Sequence, residues 1–397
     1  MKLRSVLSGA VMLQFVLLLS RPPGRFLRPE LAGSWEIFAT VFPLAVVSMA
    51  ILATSFALER PLLGRYTFPV IVGLFTVASA WMLLASPHPA IDVLDFGREA
   101  AVALARGQNP YDLHFKNIYG DTHLFGPGFA TDQTIDVGLV YPPLSLLLTA
   151  PATYLVHDHR ATLVLAFVAA ALLIDGLGGR TARLAALLFM SSPRRFFGLE
   201  QGWTEPLMVA ALALTVLLAQ RRSRWLPVGL AAVLGVKQFA VLLLPLTPLL
   251  VGEVRPRRSV GVVVRALVLV AILILPFLLW DPRAFVRSTV LFHLAQPFRP
   301  DSLNFAAAWS WVRDGVRPHT VIPTIVLFIA ATVWALRRCR PTPAGFAAGG
   351  ALVVMAFLAW SKQAFFNYYD LVIGLLICAV ASGGTAPDPA MPERTVA

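Results

Sequence analysis

Charge is what this chain has least of. Only 14% of its 397 residues are Asp, Glu, Lys or Arg, against roughly a quarter in a soluble domain. With 57% hydrophobic residues and a mean hydropathy of +0.73, the composition excludes an ordinary soluble globule and assigns the chain to a bilayer. Cysteine is nearly absent: Cys339 flanks one apolar run and Cys378 lies inside another, so no disulfide framework is possible. Lysine is almost as scarce, occurring only at Lys2, Lys116, Lys237 and Lys362. The seven histidines show no helical ligand pairing, and His157-Asp158-His159 reads as a charged turn, so no metal site is expected. Neither a Walker-type phosphate loop nor a Rossmann glycine pattern occurs. That argues against nucleotide-driven chemistry, leaves no cofactor to expect, and implies that any phosphate bound is carried on a lipid.

What is present is a series of apolar runs, at 36–58, 66–85, 204–220, 225–251, 259–280, 319–336, 343–360 and 366–382, close to the roughly 17–25 residues that span hydrocarbon as helix. Residues 139–156 and 161–178 are weaker spans and 182–192 is short. The pattern predicts an all-α polytopic membrane protein of about 11–13 transmembrane or re-entrant helices, one membrane domain over 1–382, and a disordered tail from Gly383 to Ala397. Residues 5–20 have the basic start and apolar centre of a signal peptide, but Arg21, Arg25 and Arg28 follow where a cleavage site would stand, so they read as an uncleaved anchor. The net charge of +12 is not a nucleic-acid footprint, because the basic residues sit in short clusters between the runs. These are Lys2 and Arg4; Arg60 and Arg65; Arg180 and Arg183; Arg221, Arg222 and Arg224; Arg255, Arg257 and Arg258; and Arg337, Arg338 and Arg340. All six are assigned to the cytoplasm of a cell membrane.

If every cluster is cytoplasmic, the chain between neighbouring clusters crosses the bilayer an even number of times. Residues 225–251 then form a hairpin broken near Gly235-Val-Lys237-Gln238, and such a break is tolerated only where it lines protein or a water cavity. Residues 184–220 turn at the polar stretch from Pro193 to Gly202, which puts Arg194, Arg195, Glu200 and Gln201 on the outer side. A second outer loop over about 281–318, with Arg299, and the short run at Lys362 fall there too. The count fails once. Two apolar segments lie between the first outer loop and Arg180 where an odd number is needed, so either 139–156 is only partly embedded or Arg180 and Arg183 are external.

The outer loop 86–138 carries Asp92, Asp95 and Glu99, and loops of that length tend to be functional or disordered. An acid there can act as a general base on an attacking hydroxyl, or it can merely solvate the loop. Residues 95–106 place Phe96, Ala100, Ala103 and Leu104 on one side, predicting an amphipathic interfacial helix stopped by Gly107 and Pro110, with Asp92 just before its first turn. Lys237 inside an apolar run costs roughly 2.5–3.5 kcal/mol at the bilayer centre, which suggests an anionic partner; snorkelling to an interface is the plainer alternative. The adjacent Arg194 and Arg195 suit a phosphate or an ordinary charged helix end.

The run Ile91-Asp-Val-Leu-Asp-Phe, Ala100, then Leu104-Ala-Arg-Gly107-Gln-Asn-Pro-Tyr111 resembles the first-loop pattern of the GT-C glycosyltransferases, specifically the bacterial family 87 group that uses polyprenyl-phosphate-mannose. Tyr141-Pro-Pro-Leu144 is similar to its next landmark, Glu200-Gln201-Gly202 to its short polar turn, and Gly235-Val-Lys237 to its lysine-bearing break. The likeness covers roughly residues 66–250. It departs in having Glu-Gln-Gly-Trp203 where the family usually has Gly-Gln-x-Asn, and in a longer loop from Asp112 to Gly138, rich in glycine and aromatics. The resemblance implies an inverting membrane glycosyltransferase working on the outer face. The donor would be a polyprenyl-phosphate sugar, mannose or another hexose or pentose, and the acceptor a cell-envelope glycolipid or polysaccharide. Asp92 would be the catalytic base, with Asp95 the alternative. Arg194, Arg195 and Lys237, then Lys362 and Arg299, would hold the donor phosphate, and Tyr111, Tyr141, Glu200 and Gln201 would shape the substrate site. A flippase for a lipid-linked saccharide and a non-catalytic envelope-synthesis scaffold are the competing readings.

Overall fold

The computed structural model describes residues 32–192, 194–252 and 256–383. The expected anchor over 5–20, Lys2, Arg4, the Arg21 to Arg28 group and Arg255 lie outside the described residues, as do the tail beyond Gly383 and the side chain of Arg194.

Helices α1 (Ala32–Ala57) and α2 (Thr67–Ala85) pack side by side. After a short loop, α3 (Asp92–Ala105) buries Leu94, Phe96, Ala100, Ala101 and Ala103 and leaves its polar residues outward, the amphipathic pattern the sequence predicts. It starts earlier than expected, at Asp92 itself. A carboxylate in the first turn suits the helix dipole, and Asp92 Oδ1 accepts from Val93 N at 2.8 Å. The aromatic-rich loop that follows closes on a two-stranded antiparallel ribbon, β1 (Phe115–Lys116) with β2 (Thr134–Ile135), and Phe115 stacks on Phe96 at 4.5 Å.

Next come α4 (Pro143–Val156), α5 (Arg160–Asp175), α6 (Gly179–Met190), the short α7 (Arg194–Glu200) and α8 (Glu205–Gln220). Helix α8 is the central post, buried on nearly every face from Glu205 to Ala219 between α5, α9 (Leu226–Val236) and the last helix. The break expected near Lys237 is present. Helix α9 stops at Val236, Lys237 is extended at φ −144° and ψ 128°, and the chain continues as a 3-10 helix over Gln238–Leu246 into α10 (Thr247–Leu250). The long α11 (Pro256–Trp280) leads to α12 (Pro282–Val286), a π turn over Arg287–Leu291, α13 (Phe292–Ala295) and α14 (Phe305–Val312). Thus the second expected loop consists largely of short helices. The chain finishes with α15 (Val321–Arg338), α16 (Pro343–Trp360) and α17 (Tyr369–Gly383).

Among the described residues five helices are long and apolar enough to cross a membrane: Gly64–Ala85, Arg257–Trp280, Val321–Arg338, Pro343–Trp360 and Phe366–Gly383. Shorter apolar helices fill the space between them. The outward stripe Ile322, Ile325, Val326 and Ile329 on α15 is exposed, as expected of a helix that meets lipid. The chain is a helical membrane protein.

Side-chain contacts define two ends of the bundle. At one, Arg180 pairs with Glu59 at 3.0 Å, Gln220 Nε2 donates to the Leu177 carbonyl at 2.9 Å, and Gly252 abuts the Pro341 carbonyl. At the other, Ser86 meets Glu200, and Glu205 receives both Lys237 and Asn367. The chain therefore runs from Gln220 up to Lys237 and back to Gly252, which is the hairpin that charge parity requires. Helix α4 resolves the odd count. It begins with Leu144 against Gly235, Tyr154 Oη donates to the Ala101 carbonyl near its far end, and His159 lies against Gly97 and Gly202 just beyond. Both its ends thus lie at the Asp92 end, so α4 does not run the length of the bundle, and α5 alone returns to the Arg180 end.

Candidate active site

The polar residues of interest gather at the end opposite the basic clusters. Asp92 Oδ1 accepts from Tyr119 Oη at 3.2 Å, and the same phenol oxygen accepts from the Asp92 N–H at 3.3 Å. The carboxylate keeps a partly open rim, yet burial pushes its pKa above the ordinary value, more than the Val93 and Tyr119 hydrogen bonds pull it down. Asp95 lies one turn further along α3, where its charge adds slightly to that rise.

Tyr141 joins the two halves of the site. Lys237 Nζ lies 4.5 Å from its ring centroid, a cation–π distance. Its hydroxyl pKa is pushed well up by burial and then by the negative charges of Glu205 and Asp92. Lys237 donates to Glu205 Oε1 at 2.6 Å, and Asn367 Nδ2 shares that oxygen at 3.0 Å. The anionic partner that the sequence suggested for Lys237 is therefore built into the chain. Lysine and glutamate are 3% and 1% exposed, so the pair is withdrawn from solvent.

His293 sits beside the same group. Its Nε2 approaches the Val140 carbonyl at 2.9 Å; a carbonyl only accepts, so Nε2 carries the proton. Burial lowers its pKa, more than the Val140 hydrogen bond raises it, and the positive charges of Lys237 and Lys362 lower it further. Lys362 donates to the carbonyls of His293 and Leu294, both at 2.8 Å, and burial lowers its pKa. An ammonium has three N–H donors, and these bonds use two. Arg299 forks onto Asp301 at 2.8 and 2.7 Å and stacks 5.0 Å from the Phe365 ring.

Other expected site residues take structural parts. Arg195 is not free for a phosphate: it is 2% exposed, pairs with Asp370 at 2.7 Å and lies 4.3 Å from the Phe189 ring centroid. Tyr111 is sealed against Phe277 and Phe285 and donates to the Tyr141 carbonyl at 3.0 Å, so it positions Tyr141 and does not face a substrate. Glu200 accepts from Ser86 Oγ at 2.7 Å while its carbonyl takes Arg160 Nη1. Burial pushes its pKa up to about 7, and it braces the approach to Asp92. Gln201 is buried beside it. His159 in the charged turn is also buried, and its pKa falls to about 4. Among the described residues no group of His, Cys, Asp and Glu has the arrangement of a metal site.

Sequence reasoning missed Glu205, Tyr119, His293 and Asn367. Glu205 had a signal, an acid at the head of an apolar run. The other three, Tyr119 in the loop and His293 and Asn367 in short helical turns, stand in no motif until the fold brings them to the site. Comparison with known proteins finds no family model, curated protein or solved structure that matches this chain.

Proposed function

We propose that the chain is a membrane glycosyltransferase of GT-C type that moves a sugar from a polyprenyl-phosphate donor to a cell-envelope acceptor, with Asp92 as general base. The observation that carries the reading is the juxtaposition of a carboxylate of raised pKa, held by Tyr119, with Tyr141, Lys237, His293 and Lys362 at one end of a membrane bundle. Asp92 takes the proton of the acceptor hydroxyl as its oxygen attacks the anomeric carbon. The bond from that carbon to the phosphate oxygen breaks with inversion, and the electron pair leaves on the polyprenyl phosphate. A raised carboxylate pKa strengthens the base near neutral pH.

Lys362 is the best donor-phosphate ligand, because it keeps an N–H in hand and meets carbonyls, not a carboxylate. Lys237 lies close by, but Glu205 balances its charge. Cations aimed at a developing charge in a site poor in water supply much of a rate enhancement. The acceptor side would face outward, at the end away from the basic clusters.

The test is purified protein in liposomes with radiolabelled polyprenyl-phosphate-mannose. Asp92→Asn is expected to lose transfer by about 10²–10⁴-fold. A wild-type protein that transfers nothing, or an Asp92→Asn protein that transfers equally, sinks the proposal. The break at Lys237 also suits a lipid-linked-saccharide flippase; scrambling of the labelled lipid without Asp92-dependent transfer would select that reading.

A further inference from the structure

A groove of about 660 Å³ opens between the first loop, from Thr122 to Gly128, and the segment Pro297–Asp301, with Arg317 at its side. That volume falls within the roughly 300–1,000 Å³ of ligand sites. The groove borders the candidate active site, since the Arg299 N–H donates to the Lys362 carbonyl and Gln363 Nε2 to the Pro297 carbonyl, each at 3.0 Å. The first wall starts three residues after Tyr119, whose hydroxyl meets Asp92 at 3.2 Å. The second carries Arg299, whose positive charge reaches both Tyr119 and Tyr368; Tyr368 in turn feels Lys237 and Tyr141. An acceptor held in this groove would lie between the Tyr119 loop and the Lys362 segment.

The lining indicates what such an acceptor carries. Phe125, Phe298 and three prolines offer flat apolar faces, while Arg299 and Arg317 supply two cations against the single acid Asp301. Asp301 is already taken by Arg299. Arg317 is exposed at the groove wall, and among the described residues no carboxylate pairs with it. Guanidinium recognises phosphate and carboxylate by forked hydrogen bonds. Resting on the glycosyltransferase reading, we propose that this groove is the acceptor site and that the acceptor is a saccharide bearing an anionic group, phosphate or carboxylate, which Arg317 binds with Arg299 beside it.

Three synthetic acceptors separate the possibilities: octyl mannoside, its 6-phosphate, and the matching octyl mannuronoside, each assayed with radiolabelled polyprenyl-phosphate-mannose. A charged acceptor is expected to show a KM about ten-fold below that of the neutral one, the order of one charge-assisted contact. Which charged acceptor is preferred identifies phosphate or carboxylate as the group. Arg317→Gln is expected to abolish that preference, and Arg317→Lys to restore part of it, while the donor KM stays at the wild-type value in both. Transfer by wild type with equal KM for all three acceptors overturns the inference and leaves the enzyme reading intact, as does a preference that survives Arg317→Gln. No transfer with any acceptor overturns both.

Discussion

Two lysines at the candidate site have opposite electrostatic standing. Lys237 donates to Glu205 at 2.6 Å with both partners buried, so a phosphate arriving there would have to share the ammonium with a carboxylate. Lys362 is held only by two carbonyls, which orient its charge without cancelling it. Charge cost alone, read from sequence, ranks them the other way, because Lys237 sits in the longer apolar run and its counter-ion lies 32 residues earlier in the chain. Glu200 offers a test at this scale that needs no activity. Its folded pKa is raised from 4.5 to about 7, so between those values the folded protein holds a proton that the unfolded chain has released. Stability therefore falls as pH rises from about 4.5 to about 7 and levels off above it. Glu200→Gln is expected to remove that component, seen as a flatter melting temperature against pH in detergent. An unchanged pH slope would mean that Glu200 ionises as freely in the fold as outside it.

At the scale of elements, the sequence was most readable where a long apolar run met a polar interruption. The Lys237 break, the amphipathic α3 and the turn ahead of α8 all follow from that pattern. What stayed unread was the destination of segments whose hydropathy is right but whose partners are remote. Helix α4 looks like a weak span, yet it lies along α3 because Tyr154 and Leu144 find partners on Ala101 and Gly235. The aromatic-rich loop before it is likewise fixed from a distance. Ser288 accepts from the Gly138 N–H and donates to the Tyr111 carbonyl, each at 3.1 Å, while Arg287 Nη2 holds the Gly128 carbonyl at 2.7 Å. Gly138 is needed for this closure, since a Cβ there would overlap the Tyr111 backbone. Gly138→Ala is expected to cost about 1–3 kcal/mol, as overpacking does, and to lower transfer by displacing Val140, whose carbonyl meets His293 and Gln238. Gly73→Ala is the control: it is exposed on α2, its added Cβ meets nothing, and it should stay within about 0.5 kcal/mol. Equal melting temperatures for the two variants would remove the closure argument.

For the whole molecule, the decisive relation is that the basic clusters around Arg60, Arg180 and Arg338 and the candidate catalytic residues occupy opposite ends of one bundle. The Arg180–Glu59 pair and the Gly252–Pro341 contact gather the basic clusters at one end, while Asp92, Lys237 and Lys362 lie at the other. The charge pattern gives that bundle an orientation, because Lys and Arg near the ends of spans are retained in the cytoplasm. By that rule the proposed site would face outward, where a lipid-linked sugar is usable and a nucleotide sugar is not. Single cysteines read this directly in a Cys339→Ser background, since Cys378 is buried. His123, Arg60 and Arg338 are exposed in the structure. His123→Cys is expected to react with a membrane-impermeant maleimide in intact cells, and Arg60→Cys and Arg338→Cys only after the membrane is permeabilised. Complete reversal would keep the two-ended bundle but turn the site toward the cytoplasm, removing the reason for a lipid-linked donor. Labelling of all three from one side would contradict the bundle itself, because the Ser86–Glu200 and Arg180–Glu59 contacts hold the two ends of α2 apart and the Gly252–Pro341 contact keeps the end of α15 with the Arg180 side.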